Sequence, residues 1–271
     1  MKLISKFAGI AAALMMASAP ASAIVITWDY EVDSIFTAAT YGGSGGSPTT
    51  PPATALYWGT PSNPGNLQSS LVVGNNPATG KVDTYPGLIP PQSAPYLGLS
   101  TSLTHNNNII QGGSSSLLTA TLTNTVTLTP FNPSQSSLPD QIVPFSIAFT
   151  ETPNATPCAA NSPTPCNDIF VLTGGLLNFD FDYDDGTGLS KYFVNIFPVT
   201  GGVLSVLTNA ECAAANQGSG CFGFTTPEGQ STTLRFGFTI STQPLQVPEP
   251  GMLALLGLGI MGLFAWRRRQ D

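Results

Sequence analysis

The chain alternates apolar and polar residues over much of its length, and the segment LLTATLTNTVTLTP shows this best. One side of that segment would carry only threonines and the other side mostly apolar residues: Thr119, Thr121, Thr123, Thr125, Thr127 and Thr129 against Ala120, Leu122, Asn124, Val126 and Leu128. A period of two residues predicts a β-strand with one core side and one solvated side. At about 3.3 Å per residue the strand would run roughly 36 Å, so we expect it to bend or bulge.

Further segments predict strands around this one. Ile24 to Phe36 would place Ile26, Trp28, Tyr30 and Val32 on one side and acidic residues on the other. The remaining predicted strands are shorter: residues 55–59, 70–73, 142–150, 169–172, 203–207 and 234–240, with 178–183 and 191–197 forming a hairpin. At least nine strands, with no convincing internal helix and no repeat, predict an all-β fold, a single β-sandwich domain of jelly-roll type. The glycine-rich segment 42–52 predicts a flexible loop that need not pack.

Both ends of the chain depart from this pattern. Residues 1–23 join a basic start, an apolar run and Ala21-Ser22-Ala23, which predicts a helical signal peptide that is cleaved before Ile24. Residues 247–271 begin with Pro-Glu-Pro and continue as an uncharged run, 251–266, before three arginines. We expect that run to be a transmembrane helix of roughly 24 Å, short of the ~30 Å hydrocarbon core. The body, 24–246, would face the periplasm because the arginines stay cytoplasmic.

The charge of the body excludes one class of partner. Only Lys81, Lys191 and Arg235 are basic there, against thirteen acidic residues, so its net charge is −10. Such a surface cannot neutralise phosphates, which excludes ordinary nucleic-acid binding, and it attracts cations.

Four cysteines lie in the body, at Cys158, Cys166, Cys212 and Cys221. An even number in an exported chain suggests disulfides, of which three pairings are possible. The two short spacings favour Cys158 with Cys166 and Cys212 with Cys221. Metal binding by these cysteines is disfavoured, since the chain has no C-x-x-C and a single histidine.

That histidine, His105, has two interpretations. As a functional group it would contact a ligand or transfer protons, although no G-x-S-x-G elbow accompanies it and a zinc site with several histidines is impossible. As a structural group it would bond backbone atoms at a turn, with Thr104, Asn106 and Asn107 capping the same turn. The sequence favours the structural interpretation.

A second candidate site is the run D-x-D-x-D-D-G, in which Asp180, Asp182 and Asp184 could bind calcium. It departs from the EF-hand pattern, because its glycine is one place late and Lys191 stands where the glutamate should be. The favoured alternative is a strand with aspartates outward. No other cofactor is indicated.

Two surface features also have alternative interpretations. The threonine row could bind ice or sugar, but a single row favours a water-facing strand. Trp28, Trp58 and Phe222 could form a sugar platform, and each equally suits a core.

The tail resembles the PEP-CTERM sorting signal. The matching residues are Pro248, Glu249 and Pro250, the helix 251–266, and Arg267, Arg268 and Arg269. The resemblance implies a Gram-negative source, often a producer of exopolysaccharide, and an exosortase as partner, a membrane transpeptidase that cleaves near the triplet. The same tail is sometimes labelled as an ice-binding protein C-terminus, but so many unrelated bodies share it that it is not evidence of ice binding.

The body resembles the THxN family of PEP-CTERM proteins. The naming motif is matched by Thr104, His105, Asn106 and Asn107. The likeness extends over most of the body: Trp58-Gly59, 68–71, 149–152, Asn154, Cys158, Cys166, 168–170, 221–224, Thr226 and Glu228. The family has no established activity, so the likeness supports fold and location only.

Together these features predict an exported protein that is tethered to the inner membrane on the periplasmic side, then released to the cell surface or matrix. We expect a structural or adhesive role linked to exopolysaccharide and no enzymatic activity. A carbohydrate- or calcium-binding module is the alternative, and a hydrolase ranks last.

Overall fold

A computed structural model describes residues 25–158, 165–174, 179–184, 188–199 and 204–245. The predicted signal peptide and the sorting tail with its transmembrane helix lie outside these residues. Within them, no helix combines the length and apolarity that a membrane span requires.

Thirteen strands and one short helix form the described part of the chain. The strands are β1 (Thr27–Gly42), β2 (Ala55–Trp58), β3 (Ser69–Gly74), β4 (Ala78–Tyr85), β5 (Gly98–Asn106), β6 (Ser116–Asn132), β7 (Gln141–Thr150), β8 (Asp168–Leu172), β9 (Phe179–Asp184), β10 (Leu189–Pro198), β11 (Ser205–Val206), β12 (Phe222–Thr226) and β13 (Ser231–Ser241). The helix, α1, is Asn209–Ala214 and lies between β11 and β12.

The strands form one open sheet that has two halves. The first half runs β11-β12-β8-β7-β6-β1-β4, and the second contains β2-β3-β5-β13 together with β10 and β9. Strand β4 joins them, because residues 78–83 pair with β1 whereas Thr84 and Tyr85 pair with β13. The predicted hairpin of β9 and β10 is confirmed by their antiparallel pairing.

Aromatic side chains fill the space between the two halves. Trp28 of β1 meets the rings of Phe181 and Tyr192 edge-on, at centroid distances of 5.6 and 5.3 Å. Tyr30 of the same strand meets Phe238 of β13 at 4.9 Å. The inner sides of both halves therefore share one core, as expected for an all-β sandwich.

The paired strands β1 and β6 behave largely as their alternation predicts. Ala120, Leu122, Asn124, Val126 and Leu128 are buried, and the six threonines between them face outward. Register shifts at three places between β1 and β6 confirm the expected irregularity. The prediction for Ile26 is wrong, since it precedes the strand and is exposed.

Four elements escaped the sequence analysis. Strands β4, β5 and β12 were not predicted, and the expectation of no internal helix is wrong. Helix α1 has only six residues, too few for an apolar period, but a capping box marks its start: Thr208 accepts from the Glu211 N–H, and the Glu211 carboxylate accepts from the Thr208 N–H.

Both favoured disulfides are present, Cys158–Cys166 and Cys212–Cys221. The second joins α1 to the residue before β12. Cys212 also packs in a small apolar cluster against Ile169 and Val171 of β8, so this bond holds the helix on the sheet.

The glycine-rich loop was predicted to be flexible with no need to pack, and the structure shows that it is packed. The Gln68 side chain donates hydrogen bonds to the carbonyls of both Gly46 and Gly59. A Cβ atom on Gly46 would lie only 2.3 Å from the Gly59 carbonyl carbon. The loop is therefore held against the end of β2, and glycine is needed for the close approach.

Candidate functional site

His105 lies inside the sandwich, on strand β5. It pairs with Leu71 of β3 on one side and with Thr232 of β13 on the other. Its ring stacks on Trp58, with centroids 5.8 Å apart and planes 9° apart, and meets Phe149 edge-on at 4.9 Å. The side chain is fully buried, and neither ring nitrogen has a hydrogen-bond partner among the described residues.

One part of the favoured interpretation of His105, a ring that bonds backbone atoms at a turn, is therefore wrong. The histidine is not at a turn, and its neighbours do not cap one. Because the segment is a strand, Thr104 and Asn106 point outward while His105 and Asn107 point inward. Thr104 shares a hydrogen bond with Thr233, and Asn106 donates to Ser70.

Asp168 faces His105 from the other half of the sheet. It is the first residue of β8 and is fully buried. Its Oδ1 accepts the backbone N–H of Thr152 at 2.9 Å, and its Oδ2 lies 3.9 Å from His105 Nε2, which is too long for a hydrogen bond.

Glu151 completes a pair of acids with Asp168. It follows the last residue of β7, and its Oε2 accepts the indole N–H of Trp58 at 3.0 Å. The two carboxyl groups lie close together, since Asp168 binds the N–H of Thr152, the residue after Glu151, and each acid shifts the pKa of the other. A direct bond between them would need a proton, because two carboxylates can only accept.

Glu228 lies in the turn after β12 and is the third acid of the group. Asn154 donates to its Oε2 at 2.6 Å. Nearby, Asn107 donates to the backbone oxygen of Thr226 at 3.0 Å. We call Glu151, Asp168 and Glu228, with His105 and Trp58, the buried acid cluster.

Burial dominates the electrostatics of the buried acid cluster. Loss of solvent raises the pKa of Glu151 to about 7, helped by the charge of Glu228 and opposed by the Trp58 hydrogen bond. Burial and the charge of Glu151 raise the pKa of Asp168 well above its usual range. Burial lowers the pKa of His105 to about 3, so the ring is neutral at physiological pH.

This arrangement can hold protons, because three acids lie around a histidine that is neutral at physiological pH. The ring contacts aromatic side chains, and no serine or cysteine side chain is bonded to it within the described part of the chain. In the same residues, no three His, Cys, Asp or Glu side chains are grouped so that they could hold a metal ion.

A surface cleft lies beside the cluster. It has a volume of about 630 Å³ and is bounded by residues 109–114 on one side and Glu151–Asn154 on the other. Glu151 thus belongs both to the interior cluster and to the wall of the cleft.

The aspartates of the predicted calcium site lie on β9. Asp180 and Asp182 point outward, as the strand alternative requires, and Lys191 of β10 pairs with both, at 3.2 Å from Asp182. Asp184 is also exposed. The calcium site stays a prediction, and a cation there would have to compete with Lys191.

The sugar platform is excluded by burial. Trp28 and Trp58 have no exposed surface, and Phe222 is 44% exposed on β12. The tryptophans are core residues.

Sequence reasoning did not pick out Glu151, Asp168 or Glu228 as site residues. One signal was present: all three belong to the segments that carry the THxN resemblance, as do Trp58, Phe149 and Thr226. The structure shows that these scattered segments meet around His105.

The described fold is thus a disulfide-linked all-β body with an acidic interior site. At its C-terminal end, residues 246–269 match the family model described as the PEP-CTERM protein-sorting motif. The chain thus carries a PEP-CTERM sorting motif, and this motif implies export, a membrane-tethered stage, processing by an exosortase and delivery to the surface. No curated protein matches the chain significantly. The THxN assignment of the body stays a prediction.

Proposed function

We propose that the body is a non-catalytic structural or adhesive module of the cell surface or extracellular matrix, which associates with exopolysaccharide. In this proposal the protein is tethered to the inner membrane on its periplasmic side before release. The strands of the body would follow a jelly-roll order.

The supporting observation is the outer side of strands β1 and β6. In register, the acidic residues of β1 lie beside threonines of β6: Asp29 by Thr129, Glu31 by Thr127 and Asp33 by Thr125. Farther along, Thr37 shares a hydrogen bond with Thr123, and Thr40 with Thr119. The threonines run from Thr119 to Thr129, so this polar surface extends roughly 36 Å.

A surface of this kind suits a hydroxyl-rich polymer. Threonine hydroxyls donate and accept hydrogen bonds, and the carboxylates add acceptors. The body offers few cations, so an acidic polymer would bind through divalent ions whereas a neutral one would bind directly. Many weak contacts along one side would give adhesion without an enclosed pocket.

The test compares two threonines that have the same local bonding. Thr123 lies on the β1–β6 surface, and Thr104, bonded to Thr233, lies outward on the other half. The full chain, purified in mild detergent, would be applied to a glycan array and to exopolysaccharide extracted from its host. We expect Thr123→Arg to weaken binding at least tenfold and Thr104→Arg to leave it unchanged. Equal binding by both variants would contradict the proposal.

The second candidate is a carbohydrate- or calcium-binding module with a defined site. The cleft beside Glu151 and the outward aspartates of β9 favour it. Binding that saturates at one ligand per chain, or a melting shift that EDTA abolishes, would support this candidate over a diffuse adhesive surface. A hydrolase ranks last, and it would gain support only if His105→Ala removed a measured hydrolysis without changing the melting temperature.

A further inference from the structure

We propose that Glu151 and Asp168 share one proton at neutral pH and form a pH-dependent lock between the two halves of the sheet, which weakens as the pH rises. This regulatory role is separate from the adhesive surface.

The position of the proton follows from the hydrogen bonds that both acids already accept. Oδ1 of Asp168 already accepts the Thr152 N–H, and Glu151 Oε2 already accepts the Trp58 N–H. Oδ2 of Asp168 has no hydrogen-bond donor in the described part of the chain and is fully buried. A proton on Oδ2 would turn it into a donor toward the neighbouring Glu151 carboxyl group and would satisfy an oxygen that otherwise has no partner.

The acid pair lies where the two halves of the sheet face each other. Asp168 is the first residue of β8, and Glu151 directly follows β7. Both strands belong to the first half of the sheet. Trp58 and His105, which contact them, belong to β2 and β5 of the second half. Each contact therefore crosses the interior, and disorder in the acid pair would loosen both halves at once.

The acid pair faces a third acid and a neutral histidine. Glu228 faces it from the turn after β12, and His105 faces it from β5. Among the described residues, only carboxyl groups contribute charge to the shifts of Glu151 and Asp168. The histidine ring is neutral, so it cannot compensate a second negative charge. Loss of the shared proton would leave adjacent anions in a largely buried site.

The net number of protons taken up on folding sets the direction in which stability changes with pH. Above pH 6.5 an unfolded chain has His105, Glu151 and Asp168 all deprotonated, whereas the folded chain keeps a proton on the pair. Between roughly pH 4.5 and 6.5 the unfolded histidine binds a proton that the folded ring does not, which opposes the proton uptake by the pair. Folding therefore becomes less favourable as the pH rises above 6.5.

The experiment measures the unfolding equilibrium of the full chain in mild detergent by denaturant titration from pH 5 to 8.5. Above pH 6.5 the equilibrium constant for unfolding should increase about tenfold per pH unit, as one proton requires. Asp168→Asn should flatten this dependence, since the amide keeps a donor toward Glu151 and carries no ionisable group. Asp140→Asn is the matched control, because Asp140 accepts from Thr127 at the exposed surface. It should retain the slope of the original chain.

An Asp168→Asn variant with the slope of the original chain would overturn the proposal. If that variant does not fold, carboxyl carbon NMR of the original chain decides. At least one carboxyl resonance that titrates above pH 6 supports the shared proton, and titration of every carboxyl below pH 5.5 overturns it. A slope that disappears with EDTA would also overturn it, since a bound cation and not a proton would then neutralise the pair.

Discussion

Trp58 and Glu151 are joined across the interior of the sandwich by a 3.0 Å hydrogen bond from the indole N–H to Oε2 of the carboxyl group. Trp58 has no exposed surface and also stacks on His105. One side chain of the second half thus holds a carboxyl group of the first half and covers the histidine beside it.

Replacing Trp58 with phenylalanine should cost more stability than the same change at Trp28. Both indoles are fully buried, but Trp28 donates to the neutral hydroxyl of Thr84 at 2.9 Å. Hydrogen bonds to charged or proton-sharing acids contribute about 1.5–3 kcal/mol, against about 1 kcal/mol for neutral partners. Denaturant unfolding at pH 7 should therefore show Trp58→Phe to be less stable than Trp28→Phe by about 1 kcal/mol. Equal losses would mean that the bond to Glu151 contributes nothing special.

The single histidine should remain unprotonated far into the acid range. Burial lowers the pKa of His105 to about 3, against 6.5 for an exposed ring. A base whose folded pKa is lowered has full stability above its unfolded value and loses stability as the pH falls below about 6.5. Its ring proton resonances, unique in the spectrum, should not show the shift of imidazole protonation between pH 8 and pH 4. A titration near pH 6.5 would show that the ring is solvated.

The alternating strands could be predicted from the sequence because burial and exposure follow a period of two in β6 and β1. Strand β4 could not, because Gly80 stands where an apolar residue would mark the inner side. A Cβ atom there would lie 2.7 Å from the Tyr30 hydroxyl oxygen, so the pattern is interrupted to make room for that ring. Packing against Tyr30, and not the alternating pattern of the strand, therefore determines the residue at position 80.

The buried acid cluster was beyond prediction for a different reason. Periodicity assigns His105 to one side of its strand, but it does not show which strand faces that side. Glu151, Asp168 and Glu228 come from three separate elements, and each acid looks like an ordinary surface residue on its own. Only the packing of the two halves brings them together.

Processing at both ends should be visible in the mass of the surface protein. The sorting motif at residues 246–269 implies exosortase processing, and cleavage near Pro248–Pro250 would remove all three terminal arginines. Mass spectrometry of material from the cell surface should find a chain that begins at Ile24 and lacks Arg267 to Arg269. An intact C-terminus on that material would make the tail a permanent anchor.

The disulfide Cys212–Cys221 should stabilise the body by fixing α1. It closes a loop of nine residues, for which the chain-entropy model gives about 2.5 kcal/mol. The double variant Cys212→Ala, Cys221→Ala should lose roughly that amount, because Cys212 is fully buried against β8 and the alanine also loses apolar contact. The comparison is the same change at Cys158 and Cys166, measured by denaturant unfolding. A loss below about 1 kcal/mol at 212 and 221 would contradict this role.

Alanine at Gly46 should be much more damaging than alanine at Gly65. Both glycines have a positive φ, 75° and 92°, so each substitution carries a similar backbone strain of about 1–2 kcal/mol. At Gly65 an added Cβ atom meets nothing within 4 Å, whereas at Gly46 it would meet the backbone of Gly59 at 2.3 Å. The loop would have to move away from β2 and release its bond from Gln68, which lies in the segment before β3. We expect Gly46→Ala to lose at least about 2 kcal/mol more than Gly65→Ala in denaturant unfolding. Similar losses would show that the glycine-rich loop is free of β2 in solution, as its composition alone predicts.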